Sequence, residues 1–226
     1  MNQSVLLLSG GLDSTVNMAI AVAEGAVRLA ITCDYGQRAA VREIASARAI
    51  SRRYAVRHLI IPITWLGEIA ATPLTRADAT VPSPADEGFD VADAKVWIPN
   101  RNGVLLNVAA ACAEAIGADS VITGFNAEEA VNFPDNSAGF IAAANEAFRF
   151  SCKRPVRTMS HTIDLDKKQI FQLARRYDAP VELSWWCYDG GDAPCWRCAS
   201  CARFRMAAEA CGCVDWLAAK GVVFRA

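Results

Sequence analysis

The sequence predicts an α/β protein, a parallel sheet covered by helices on both faces. Three observations carry that reading: short apolar runs alternate with helical periods, the first run ends at a glycine pair, and hydrophobic residues fill 53% of 226 positions. Alternation of this kind lays the helical crossovers over the sheet and buries the strands from both sides. Residues 4–8 read as a buried strand ending at Gly10 and Gly11, and the Ala-rich apolar spacing of 12–24 suits a helix. A second strand is expected at 27–33, a polar helix at 39–54 and a third strand at 56–62. Residues 102–116 read as a helix, 120–123 as a strand and 167–177, KKQIFQLARRY, as an amphipathic helix. Residues 72–95 are rich in Pro, Asp and Ala and lack periodicity, which reads as a mobile loop of the length often used as a lid. The expected organisation is a Rossmann-like sheet domain over 1–180 and a cysteine-rich, metal-binding region over 181–226 in the same compact unit.

Composition narrows the function classes. A formal charge of −1 and a pI near 6.1 supply no general basic field, which argues against a nucleic-acid partner. The N-terminal apolar run is far shorter than a signal-peptide core or a membrane span, so no membrane is expected and the location expected is cytoplasmic. Nine cysteines, an odd count without an export signal, point to thiols or metal ligands rather than a disulfide framework.

The joint between the first strand and the first helix reads Ser9-Gly10-Gly11-Leu12-Asp13-Ser14. Backbone N–H groups and the positive helix end converge on an anion at such a joint, and phosphate oxygens fit there. The glycines permit close approach, the serine hydroxyls add donors, and Asp13 can hold Mg²⁺ or orient a donor. A helix cap at a tight turn is the bland reading of the same residues. Further on, Cys187, Cys195, Cys198 and Cys201 form C-x7-C-x2-C-x2-C behind Pro194. Four thiolates close a tetrahedral shell around Zn²⁺ and leave no position for catalytic water, so the metal would be structural. Its binding would contribute on the order of 10 kcal/mol to ordering a loop with little core. An iron–sulfur cluster is the competing occupant. Cys33, Cys112, Cys152, Cys211 and Cys213 read as small buried residues or incidental thiols, with Cys211 and Cys213 near enough in sequence to compete for metal. His58 and His161 lack metal spacing, and Arg175, Arg176, Arg203 and Arg205 read as solvated positions at helix ends.

SGGLDS resembles the pyrophosphate loop of the ATP pyrophosphatases. It lacks the Walker lysine, and in that class it grips the β- and γ-phosphates as the leaving pyrophosphate, so that AMP passes to the substrate. Together with the four cysteines it resembles the 7-cyano-7-deazaguanine synthase family. The family's Tyr-Gly-Gln-Arg stands at Tyr35-Gly36-Gln37-Arg38, its loop marks at Leu74-Thr75 and Val81-Pro82, and its Pro-x-Arg-Asn at Pro99-Asn100-Arg101-Asn102. Its Gly-x-Asn-Ala-Glu run is Gly124-Phe125-Asn126-Ala127-Glu128, and Cys187-Tyr188 opens the metal loop, so the resemblance covers nearly the whole chain.

The resemblance implies an adenine nucleotide alpha hydrolase type of sheet and ligase chemistry. ATP, Mg²⁺, ammonia, a deazapurine-like carboxylate, structural Zn²⁺ and a homodimer come with it. It places ATP on Ser9, Gly10, Gly11, Leu12, Asp13, Ser14 and Arg38, gives chemical roles to Asp13, Arg101 and Lys167, and assigns the acceptor to Tyr35, Asn126 and Glu128. Lys168 is the neighbour that could replace Lys167. This chain departs from the family where Asn136 and Ser137 replace its Cys-Arg, at the Trp185-Trp186 pair, and at Asn100. The first departure leaves the acceptor open, so the same adenylation chemistry on another small molecule or on a protein is the alternative. Transfer RNA thiolation shares the loop, but no RNA-binding domain is recognisable. A non-catalytic nucleotide-binding or zinc-stabilised module is the third reading, against which the intact SGGLDS counts.

Overall fold

The computed structural model describes residues 3–224. In chain order the elements run β1 (Ser4–Leu7), α1 (Leu12–Ala23), β2 (Val27–Asp34), α2 (Ala40–Arg53), β3 (His58–Pro62) and α3 (Trp65–Ile69). Then follow α4 (Pro84–Glu87), α5 (Phe89–Lys95), α6 (Arg101–Ile116), β4 (Ser120–Ile122), α7 (Ala127–Ala130), α8 (Ala138–Ser151), β5 (Arg157–Met159) and α9 (Lys167–Arg176). The chain closes with α10 (Ala199–Ala210) and α11 (Val214–Ala219).

The strands pair in the order β3-β2-β1-β4-β5, every neighbour parallel. Alternate residues supply the two faces. Leu6, Leu8, Ala30 and Ile122 pack with Met18 and Ala21 of α1 and Ala47 and Ile50 of α2. Val5, Leu29, Ile31 and Val121 pack on the opposite side with Leu106, Ala109 and Ala113 of α6 and Phe148 of α8. The apolar strand runs are thus explained by burial on both sides. Strand order reverses between β1 and β4, and in open sheets of this kind ligands bind beyond the strand ends at that reversal.

The strand and helix positions expected from the apolar runs hold to within two residues at each end. Several elements had no periodic signal. β5 is three residues long, and α7 makes barely one turn. The stretch 72–95, expected to be an unstructured loop, contains α4 and α5. Pro84 opens α4, and Gly88, at φ 84°, breaks the chain between the two helices. Helices of four and seven residues are too short to show an apolar stripe, so a real structure reads as none.

Residues beyond 180 close over the outer side of α1. Ile170, Phe171 and Ala174 of α9, Phe204, Ala207 and Ala208 of α10 and Leu217 of α11 share one core with Leu12, Val16 and Ile20. Asn100 precedes α6 in the left-handed region at φ 52°, a conformation that Asn tolerates better than most side chains. No helix of the described residues is long and apolar enough to cross a membrane.

Candidate active site

The joint after β1 is braced on both sides. Gly10 stands at φ 84°, and a Cβ there would meet Glu43 O at 2.7 Å and Ser46 Cβ at 2.8 Å, so α2 closes directly on the turn. Ser46 Oγ lies 2.9 Å from Gly10 O and 2.5 Å from Leu183 O, its one proton shared between the two carbonyls, and Trp185 N–H donates to Gly10 O at 2.8 Å. Ser9 Oγ accepts from Gly11 N–H at 3.2 Å and lies 3.1 Å from Ser14 Oγ. Gly11 caps α1 without a side chain, which leaves the first-turn N–H groups of the helix free for an anion. On the β4 side, a Cβ at Gly124 would stand 2.9 Å from Ser14 N, so the two strand ends meet at the reversal of the sheet.

One cleft of about 240 Å³ opens over this joint, lined among others by Ser9, Asp13, Tyr35, Arg101, Asn136 and Lys167. Its charged centre is formed by three residues far apart in sequence. Lys167 Nζ donates to Asp13 Oδ2 and, at 2.6 Å, to Glu129 Oε1. Asp166 caps α9 in a capping box with Gln169, which fixes the helix start and therefore the position of Lys167. Burial pushes the Asp13 carboxyl up to about 6 against the pull of Lys167. Burial also works against the Lys167 ammonium, but Asp13 and Glu129 outweigh it and hold the group above the ordinary lysine range. Asp13 Oδ1 is buried with no hydrogen-bond partner, an acceptor open for a cation or a donor, so the site fits Mg²⁺.

Arg101 lines the same cleft, its Nε donating to Asn102 Oδ1 at 3.2 Å and its guanidinium 5.9 Å over the Tyr35 ring. Burial works against the Arg101 charge, but Tyr35 and Asp135 hold it above the ordinary arginine range. Trp186 forms part of the apolar wall, stacked on Phe204 with 3.8 Å between ring centroids.

Other expected site residues fall elsewhere. Arg38 is outside the cleft lining; it donates to Ala79 O and, at 2.7 Å, to Asp189 Oδ1. Asn126, 0% exposed, caps α7 by accepting from Glu129 N–H at 2.9 Å, while its Nδ2 has no partner. Glu128 lines a neighbouring hollow and accepts from Lys167 N–H at 3.0 Å. The cleft receives Glu129 instead. Successive helical residues point about 100° apart, so the acid one place further on turns inward. Asn136 lies buried in the cleft wall, and Ser137 caps α8, accepting from Phe140 N–H at 3.1 Å. Lys168 points away, 53% exposed beside Asp166.

The four sulfurs of Cys187, Cys195, Cys198 and Cys201 lie within 4.8 Å of one another. Ligands about 2.3 Å from a tetrahedral zinc stand just under 4 Å apart, and Cys195 and Cys201 are at 4.0 Å. Backbone N–H groups of Asp189 and Cys195 point at Cys187 Sγ, and those of Arg197 and Cys198 at Cys195 Sγ, the arrangement that thiolates need. The group fits a four-coordinate metal. Cys211 and Cys213 stand apart from this group, their sulfurs side by side at the end of α10. Arg203, expected at a solvated helix end, is instead 9% exposed and lines the cleft.

The protein family described as "Queuosine biosynthesis protein QueC" matches residues 3–212. The 7-cyano-7-deazaguanine synthase of Desulforamulus reducens is 45% identical over 215 residues, covering 92% of this chain and 94% of that protein. The chain belongs to the QueC family. Within that family, the Methanosarcina mazei 7-cyano-7-deazaguanine synthase is 40% identical over 222 residues, 94% of this chain and 96% of its own. Among solved structures, NMN synthetase from Francisella tularensis aligns with a TM-score of 0.49 at 17% identity over 98% of this chain and 79% of that one. The QueC assignment rests on the sequence relatives, and the parallel order of the sheet stands on its own pairing.

Proposed function

We propose that this chain converts 7-carboxy-7-deazaguanine to 7-cyano-7-deazaguanine, using ATP and ammonia. The observation that carries the chemistry is the meeting of Asp13, Lys167 and Glu129 over the glycine turn in a single cleft. A carboxylate is a poor electrophile at neutral pH. Its oxygen attacks the α-phosphorus of ATP, the bond to the bridging oxygen breaks, and pyrophosphate leaves with that electron pair. Ammonia then displaces AMP from the acyl carbon to give the amide. The amide oxygen is adenylated by a second ATP, and loss of AMP and a proton leaves the nitrile.

In this reading Ser9, Gly10, Gly11, Leu12 and Ser14 hold the departing phosphates through backbone N–H and hydroxyl donors. Lys167 stands where negative charge builds on the phosphorus being attacked, and preorganised charge at such a point is worth about 10²–10³ in rate. Mg²⁺, held by Asp13, would neutralise charge on the pyrophosphate. Arg101 is assigned to an anionic group of ATP or acceptor. Tyr35 lies along the same wall, and Asn126 and Glu128 contribute from behind it, with Arg38 holding the rim. Zinc at the four cysteines is structural and locks the start of α10.

The test is direct incubation with 7-carboxy-7-deazaguanine, ATP and ammonia, read by mass spectrometry and by nucleotide analysis. The expected products are the nitrile, AMP and pyrophosphate. ADP with orthophosphate, or adenylation without nitrile, would refute the reading.

A further inference from the structure

A second buried charge pair joins two parts of the chain that the reaction scheme leaves unused. Asp93, on α5, is 1% exposed, and Arg203, on α10, is 9% exposed. Arg203 Nη1 donates to Asp93 Oδ1 at 3.1 Å, and Nη2 donates to Asp93 Oδ2. Asn132 Nδ2 donates to the same carboxylate at 2.8 Å. The guanidinium lies 4.6 Å over the Phe89 ring, and its Nε is 3.9 Å from Glu128 Oε1. Asp93 and Phe89 of α5 and Glu128 of α7 therefore converge on one arginine, two residues beyond Cys201 on the same helix, and Asn132 braces the carboxylate it grips.

Little else holds α4 and α5. α4 buries no residue, α5 buries only Ala92 and Asp93, and the Lys95–Glu87 pair lies on the surface. Desolvating two opposite charges costs several kcal/mol each, and well-packed apolar side chains of the same size often hold two elements as firmly. What an apolar contact lacks is direction. A two-pronged guanidinium–carboxylate pair sets distance and orientation together, as loose packing does not.

We propose that Asp93 and Arg203 form a clasp that orients α4 and α5 against the cysteine-bearing helix and so sets the acceptor side of the cleft. Both are positioning residues. Arg203 is the link, because it lines the cleft while also gripping Asp93 and facing Glu128, whose neighbour Glu129 holds Lys167. The clasp depends on the proposed acceptor reading only for which substrate responds. Its mechanical content is separate: releasing it frees residues 84–95 without disturbing the glycine turn, which is braced by Ser46 and Trp185.

Two variants of the full-length, zinc-loaded protein test it: Asp93→Asn, and the apolar double variant Asp93→Leu with Arg203→Met. Three quantities are read: KM for 7-carboxy-7-deazaguanine against KM for ATP, the rate of limited proteolysis within 84–95, and the thermal midpoint. The expected result is a rise of about tenfold or more in acceptor KM for both variants, with ATP KM within about twofold and faster cleavage within 84–95. The double variant is expected to keep its thermal midpoint, separating loss of orientation from loss of packing. A double variant with wild-type acceptor KM and wild-type protease resistance would show that the pair only fills space, and would overturn the proposal. Were the wild-type protein to make no nitrile, the proteolysis comparison would still decide the clasp; equal cleavage rates in all three proteins would reject it.

Discussion

The cleft has two ends built on different principles. At the end proposed for the nucleotide, the six residues from Ser9 to Ser14 are contiguous, and the geometry is that of one strand–helix joint. At the end proposed for the acceptor the wall is assembled from Asn136, the cysteine loop and α10, with α5 pinned behind it through the Asp93–Arg203 pair, 110 positions apart in sequence. The contrast teaches where each end is vulnerable. Backbone sites fail through glycine and helix geometry, whereas assembled walls fail when one buried partner is lost.

The largest expected effect comes from the charge where the two ends meet. Lys167→Ala should lower pyrophosphate release by about 10³-fold, because it removes the transition-state charge and leaves Asp13 and Glu129 facing each other unpaired. A loss of less than tenfold would dissociate the lysine from the chemistry. Metal removal should loosen the cysteine loop and α10. Elemental analysis should find about one zinc per chain, and chelation should lower the thermal midpoint by about 10 °C or more. Iron in place of zinc, or an unchanged midpoint, would reject that site.

Next in size is the backbone itself. Gly10→Ala meets Glu43 O and Ser46 at a positive φ, so it should weaken ATP binding by about tenfold and cost about 1–3 kcal/mol of stability. Equal ATP affinity in the variant would show that the turn does not hold the phosphates.

The pH response sharpens the comparison further. Burial holds the Asp13 carboxyl up at about 6, so pyrophosphate release should fall about tenfold per unit below that point as the carboxylate is neutralised. The linkage runs the other way for stability. A carboxyl raised above its ordinary 3.8 favours the fold while protonated, and that contribution is lost as pH rises through about 6. Asp13→Asn should therefore lower activity yet match or exceed the wild-type thermal midpoint at pH 8; a clear fall there would contradict the sign. The smallest effect belongs to Arg38→Ala. Its pair with Asp189 is partly exposed and worth about 1 kcal/mol, so ATP KM should rise by no more than about fivefold. A loss on the scale of Lys167→Ala would instead place Arg38 on the phosphates.

The amino-acid order alone was enough for the parallel sheet, the glycine turn and the four-cysteine group, because each is written locally: in apolar runs, in one joint, and in a spacing of seven, two and two residues. Lys167 came from the family resemblance with Lys168 as its alternative, and the helix start at Asp166 is what turns Lys167 rather than Lys168 into the cleft. What the order could not convey is which charges face each other. Glu129 rather than Glu128 enters the cleft because a one-turn helix has no stripe from which to read its phase, and Arg203 is buried because α5, silent in periodicity, supplies Asp93. Those pairings depend on distances in space between residues 38, 110 and 154 positions apart, and only tertiary packing brings them together.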